Sequence, residues 1–242
     1  MILSLAHVST FIGQFHILQD VSMDIPAGDV TVILGRNGAG KTTTLRSIMG
    51  LAPPTKGSIT FRQEQLAGLP PFIIARKGIG YVPEDQAVFA SLTVDENLRL
   101  AMRHRDKSAQ ERLNFVWDIF PDLKQKLQQK SGSLSGGQKQ MLAIGRALVN
   151  NNQLLLIDEP SKGLAPIMVE KLANALNSIK TYTTVVLVEQ NFSLAQAVGE
   201  RYVIIDDGHN VQTGLMADLL IDRELQRRYL SLGVQNHGGK AV

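Results

Sequence analysis

Gly35-Arg36-Asn37-Gly38-Ala39-Gly40-Lys41-Thr42 decides how the rest of this chain is read. It fits the pattern G-x-x-x-x-G-K-[ST] at every position. Glycines let the main chain curl until successive N–H groups point inward at an anion. The segment after the loop, from Lys41 to Met49, has helical character, and its N-terminal end adds positive potential at the same point. Lys41 supplies a mobile charge for the outer phosphates, and the small hard Thr42 hydroxyl suits Mg2+. Candidate phosphate contacts therefore run through Gly35, Arg36, Asn37, Gly38, Ala39, Gly40, Lys41, Thr42 and Thr43. A dinucleotide-binding G-x-G-x-x-G reading fails on the spacing of Gly35, Gly38 and Gly40.

The flanking sequence supports the loop. Val30–Leu34 just before it is a continuous apolar run without polar alternation, the pattern of a strand buried on both faces. Leu154–Ile157, Val185–Val188 and Tyr202–Ile205 repeat the pattern. Helix-compatible segments follow all but the last, which enters a turn at Asp207-Gly208. This alternation predicts an α/β fold, a phosphate-loop core with a parallel sheet. Ile2–Val8, Val21–Ile25 and Ser58–Phe61 are short, alternating and bounded by Gly and Pro, so an N-terminal antiparallel β piece is expected. Between them, Thr93-Val-Asp-Glu96 and Ser108-Ala-Gln-Glu111 match the S/T-x-x-E capping box. Leu113, Val116, Trp117 and Phe120 then recur at helical spacing until Pro121. A helical subdomain over about 87–145, inserted in the α/β core, follows from this. The expected organisation is a single domain over 1–234 with a flexible tail at 235–242.

Composition narrows the class. The chain has 242 residues, with 25 Lys+Arg against 22 Asp+Glu for a net charge of +3. That charge is too mild for a dedicated nucleic-acid binder. With 44% hydrophobic and 19% charged residues the chain is globular. Zero cysteines exclude disulfide scaffolds, thiolate-bound zinc and a thiol nucleophile. No apolar run approaches the roughly 18 residues of a membrane span. The first ten residues lack the basic and apolar regions of a signal peptide. A soluble subunit associated with a membrane remains compatible.

Two further stretches carry chemistry. Leu154-Leu-Leu-Ile-Asp158-Glu159-Pro160 is an apolar strand ending in two acids. Strand alternation points neighbours to opposite faces, which separates their roles. Asp158 is placed to reach a Mg2+ shell, and Glu159 to polarise a water in line with a γ-phosphate. Leu134-Ser135-Gly136-Gly137-Gln138 precedes a strong helix, Lys139 to Val149. A hydroxyl and two glycines at a helix start make a second anion site that has no lysine of its own.

These elements in this order resemble the ABC-type ATPase cassettes, over about Leu3 to Val234. Tyr81-Val-Pro-Glu84, Gln140–Leu148, Glu159-Pro-Ser161 with Gly163-Leu-Ala-Pro166, and Val188-Glu-Gln-Asn191 resemble a narrower branch. That branch comprises the ATPase subunits of branched-chain amino acid importers, with urea and short-chain amide importers beside them. The resemblance implies ATP and Mg2+ as ligands and ATP hydrolysis as the activity. It implies a second cassette as partner, identical or paralogous, whose Ser135–Gln138 turn caps the γ-phosphate held by Lys41. It further implies two transmembrane permease subunits, a periplasmic solute-binding protein acting indirectly, and a peripheral position on the cytoplasmic face of the bacterial inner membrane. Glu84 stands where most cassettes have glutamine and is the implied metal or water ligand, with Gln86 as substitute. Gln190 stands where most have histidine; its amide can donate to a γ-phosphate oxygen but cannot become cationic. Ala165 stands where most have aspartate. Ile12 stands where an aromatic is expected to stack on adenine, with Phe11 and Phe15 flanking it. The loss of stacking, about 1 kcal/mol, predicts modest base selectivity.

Non-transport cassettes fit less well. The stretch between Thr42 and Leu134 is too short for the long coiled coil of repair types, and translation types carry two cassettes per chain. A GTPase switch needs N-K-x-D, which is absent from the sequence.

Overall fold

The computed structural model describes residues 1–230. The 235–242 tail lies outside the described residues. In chain order the elements are β1 (Leu3–Ile12), β2 (Phe15–Ile25), β3 (Val30–Leu34), α1 (Lys41–Ile48), β4 (Lys56–Phe61), β5 (Glu64–Gln65), α2 (Pro71–Arg76) and β6 (Ile79–Val82). Then come α3 (Val94–Ala101), α4 (Lys107–Ile119), α5 (Pro121–Lys124), a 3-10 turn at Ser131–Ser133, and α6 (Gly136–Leu148). The rest alternates: β7 (Leu154–Asp158), α7 (Pro166–Ile179), β8 (Thr184–Val188), α8 (Phe192–Val198), β9 (Arg201–Asp206), β10 (His209–Leu215), α9 (Met216–Ile221) and α10 (Arg223–Leu230).

The central sheet has the strand order β10-β9-β3-β8-β7-β6. The pairs β9–β3, β3–β8, β8–β7 and β7–β6 are parallel, and β10 is antiparallel to β9. Every residue of β3, β7 and β8 is buried, as their unbroken apolar runs require. Alternation along each strand divides the core into two. Leu155 and Ile157 of β7, with Val185 and Leu187 of β8, pack with α3, α4, α6 and α7 on one face. Leu154 and Leu156, with Val186 and Val188, pack with α1 and the second sheet on the other. That second sheet, β2-β1-β4-β5, is antiparallel throughout.

Three strands escape the sequence pattern, the two-residue β5 among them. β6 is a four-residue edge strand carrying Gly80, and β10 is a mostly exposed edge strand. β10 lacks the two-sided burial that makes a strand readable, and β6, though mostly buried, is short and broken by its glycine. One capping assignment is corrected. Thr93 forms its capping box with Glu96, but α4 begins earlier than Ser108. Asp106 is the N-cap, accepting from the Ala109 N–H at 2.8 Å. Ser108 sits inside the first turn, where its Oγ accepts from Arg112 at 2.6 Å. Aspartate caps at least as well as serine, and its position adds Lys107 and Ser108 to the helix.

Since β3, β8 and β7 are parallel neighbours, their carboxyl ends lie side by side. The loops that start at Gly35, Glu189 and Glu159 therefore open on the same edge, where ligands bind in open α/β sheets.

Candidate functional site

The loop after β3 is held in a conformation that requires its glycines. Gly35, Gly38 and Gly40 have φ of 148°, 80° and 110°. A Cβ on Gly35 would lie 2.1 Å from the Ile205 carbonyl oxygen. Lys41 is buried, and its Nζ donates to the Gly35 and Arg36 carbonyls at 3.0 and 2.9 Å, so the side chain folds back over the loop. It lies 3.6 Å from Glu159 Oε1. Burial lowers the Lys41 pKa and the neighbouring Glu159 carboxylate opposes that shift. Arg36 turns away and donates to the Arg228 carbonyl of α10 at 3.1 Å.

Asp158 ends β7 at 1% exposure. Thr42 Oγ1 donates to its Oδ1 at 3.0 Å. Burial raises the carboxyl pKa to about 6, against the Thr42 hydrogen bond, which pulls it down. Glu159 follows in the left-handed region at φ 43°. For a non-glycine residue that conformation costs about 1–3 kcal/mol and persists only where neighbours enforce it. Gln190 Nε2 donates to Glu159 Oε1 at 2.5 Å. Residues 31 positions apart thus meet across β7 and β8.

A cavity of about 320 Å3 opens here. Asn37, Gly38 and Gly40–Thr43 line one side, and Ile17, Glu84, Glu159 and Lys162 the other. Curled N–H groups, a buried lysine and the first turn of α1 suit a polyphosphate. The hard oxygens of Thr42 and Asp158 suit Mg2+. Among the described residues no three His, Cys, Asp or Glu side chains converge on one point. Phosphate oxygens and water would therefore complete the shell, as is usual for Mg2+ at nucleotide sites.

The remaining sequence candidates are placed as follows. Glu84 is taken by Lys162, whose Nζ lies 2.5 Å from its Oε1 and 3.9 Å from Glu159 Oε2. Gln86 and Ala87 have φ of 65° and 47°, and Gln86 Nε2 donates to the Gly136 carbonyl at 3.4 Å. The Ser135–Gln138 turn does not line the cavity. Ser135 caps α6 in a reciprocal box with Gln138, and Ser135 and Gly136 are exposed. Ile12 is also outside: it pairs with Phe15 at the end of the hairpin, while Phe11 stacks on His16 at 4.2 Å. Ile17, two residues into β2, lines the cavity.

Ile17, Lys162 and Glu189 escape a reading of the sequence alone. Lys162 follows Glu159 by three positions, a signal that the flanking glycine obscures. A larger cavity, about 490 Å3 between α4 and the starts of β7 and β8, contains none of the candidates.

Residues 18–162 match the family described as ABC transporter. The high-affinity branched-chain amino acid transport ATP-binding protein BraG of Pseudomonas aeruginosa is 40% identical over 230 residues, 94% of this chain and 99% of that protein. The lipopolysaccharide export system ATP-binding protein LptB of Escherichia coli is 34% identical over 88% of this chain and 90% of its own length. Among solved structures, the dimeric post-hydrolysis state of an ATP-binding cassette bound to ADP and Pi superposes with a TM-score of 0.78. It shares 26% identity over 88% of this chain and 98% of its own.

Proposed function

Because this chain belongs to the ABC transporter family as an ATP-hydrolysing subunit, we propose that it energises an importer of branched-chain or related amino acids across the bacterial inner membrane. The observation that carries this reading is the end-to-end likeness to BraG, at 40% identity against 34% for the export subunit LptB.

The geometry supports specific roles. The N–H groups of Gly38–Thr43 and the Lys41 ammonium grip the β- and γ-phosphates. Thr42 and Asp158 would hold Mg2+, which would neutralise charge developing on the phosphates. Glu159 polarises the attacking water, and Gln190 orients Glu159 and donates toward the γ-phosphate. Glu84 becomes available to the metal or its water when Lys162 releases it. The cavity has no second anion-binding turn of its own, while Ser135 and Gly136 are exposed at the start of α6. A second cassette supplies the turn, so two chains, identical or paralogous, complete two sites. Nucleotide-driven closure and reopening of the pair moves two permease subunits, which receive solute from a periplasmic binding protein. Among the described residues no helix is long and apolar enough to cross a membrane. The assigned place is peripheral, on the cytoplasmic face.

Reconstitution tests the solute. In vesicles with the permease subunits and binding protein encoded beside it, leucine uptake should require ATP and this chain. Uptake of urea or short-chain amides without leucine would move it to the neighbouring importer branch; lipid-polysaccharide extraction would overturn the importer reading.

A further inference from the structure

Glu189 is 1% exposed, and the roles above do not use it. It follows β8, its N–H donating to the Ile33 carbonyl of β3 at 3.2 Å. On the other side of β8, the Glu159 N–H donates to the Val188 carbonyl at 2.9 Å. The Glu189 side chain then reaches back across the loop after β7. Its Oε1 accepts from the Ser161 N–H at 2.9 Å, and its Oε2 accepts from Ser161 Oγ at 2.9 Å. The same Oε2 accepts from the Gln190 and Asn191 N–H groups at 3.1 and 3.0 Å. These bonds use the acceptor capacity of an ionised carboxylate and leave no place for a donor. Burial raises the Glu189 pKa, and the donors from Asn191, Ser161 and Gln190 oppose that.

We propose that Glu189 is the positioning residue of the hydrolytic pair: its carboxylate ties the loop carrying Glu159 to the loop carrying Gln190. The inference rests on the role given above to Glu159. Three features support it. Glu159 sits in a strained left-handed conformation that surrounding bonds must enforce, and Ser161, two residues on, is anchored to Glu189 through both N–H and Oγ. Gln190 is anchored by its own N–H while its amide holds Glu159. The two Ser161 bonds are buried, so water does not compete for them, while those to the Gln190 and Asn191 N–H groups are partly buried. A small displacement of Glu159 is enough to spoil in-line attack.

Residue chemistry makes the proposal sharp. Glutamine has the shape of glutamate, but one of its terminal atoms becomes a donor facing a donor. Aspartate keeps the charge but is a methylene short. In the full chain, in the assembly that supports wild-type turnover, kcat for ATP, KM and melting temperature are measured for E189Q, E189D, S161A and E159Q. For E189Q, kcat should fall by about ten- to a hundredfold with KM within about twofold, the loss expected for a misplaced catalytic group. E189D should recover part of it. S161A, which removes one donor, should lose several-fold in kcat, and this loss should vanish in a Gln190→Ala background. Should E189Q fail to fold, S161A and its double variant decide the question. Folded E189Q with wild-type kcat, or a Ser161→Ala effect undiminished in the Gln190→Ala background, overturns the proposal. If E159Q itself keeps turning over, the role of Glu159 fails. If E159Q is dead and E189Q is active, only the tie between the loops fails.

Discussion

Asp158 carries a cost that its proposed role at a metal explains. The carboxyl is buried, and its pKa rises from 3.8 to about 6. A raised carboxyl pKa means that the folded protein binds the proton more tightly than the unfolded chain. Stability from this group is present below pH 3.8 and is lost as pH rises through about 6. At neutral pH the ionised carboxylate therefore destabilises the nucleotide-free fold, by an order of 3 kcal/mol. Asp158→Asn should raise the melting temperature of nucleotide-free protein at pH 7.5, with a gain that shrinks toward pH 4, while Mg2+-dependent turnover is lost. A calorimetric series across that range checks the sign. Lys162 is the opposite case. Its pair with Glu84 is exposed, and screening by water leaves such a pair little net effect on stability. Lys162→Ala should leave the melting temperature nearly unchanged. It leaves Glu84 and Glu159 without that cation beside the phosphates. KM for Mg·ATP should rise several-fold at low salt, and the rise should fade as salt is added. Titration of KM against KCl measures this.

At the scale of elements, one buried amide holds the entry to the helical lobe. Asn97, on α3, is 0% exposed. Its Nδ2 lies 2.8–3.4 Å from Ser131 Oγ and from the carbonyls of Thr93, Phe89 and Leu92, and its Oδ1 accepts from the Phe89 N–H at 3.0 Å. Asn97→Ala strands several buried polar groups and should cost about 2–4 kcal/mol, read as a denaturation midpoint. The sequence pattern showed the elements that matter most and missed contacts between them. Val30–Leu34, Leu154–Ile157 and Val185–Val188 were legible because burial on both faces removes every polar residue. β6 and β10 were not, since edge strands keep polar or glycine positions. The phosphate loop was legible because its conformation demands glycine at fixed offsets. The contacts of Gln190 with Glu159 and of Glu189 with Ser161 were not, because they depend on which strands are neighbours, and strand order is not written in any local pattern. Ile17 of β2, which lines the cavity, was not legible either, and Ile12 lies outside that cavity at the end of the hairpin.

At the scale of the whole molecule, the proposed function gives each chain two unlike half-sites. One is the cavity at the carboxyl ends of β3, β7 and β8. The other is the exposed Ser135–Gly136 turn at the start of α6. If each holds a triphosphate from one side only, as proposed above, closure takes two cassettes face to face. With Mg·ATP, Glu159→Gln protein should sediment at twice the 26.5 kDa of one chain, alone or with a paralogous cassette present. Ser135→Arg, which places a bulky cation in the turn, should abolish that species. The account depends most on Glu159 as the group that polarises water. Its direct test is the single-turnover rate of phosphate release in Glu159→Gln, measured beside equilibrium ATP binding. The account predicts near wild-type affinity with release slowed by at least about a hundredfold. Wild-type release from the variant at full ATP occupancy would contradict it.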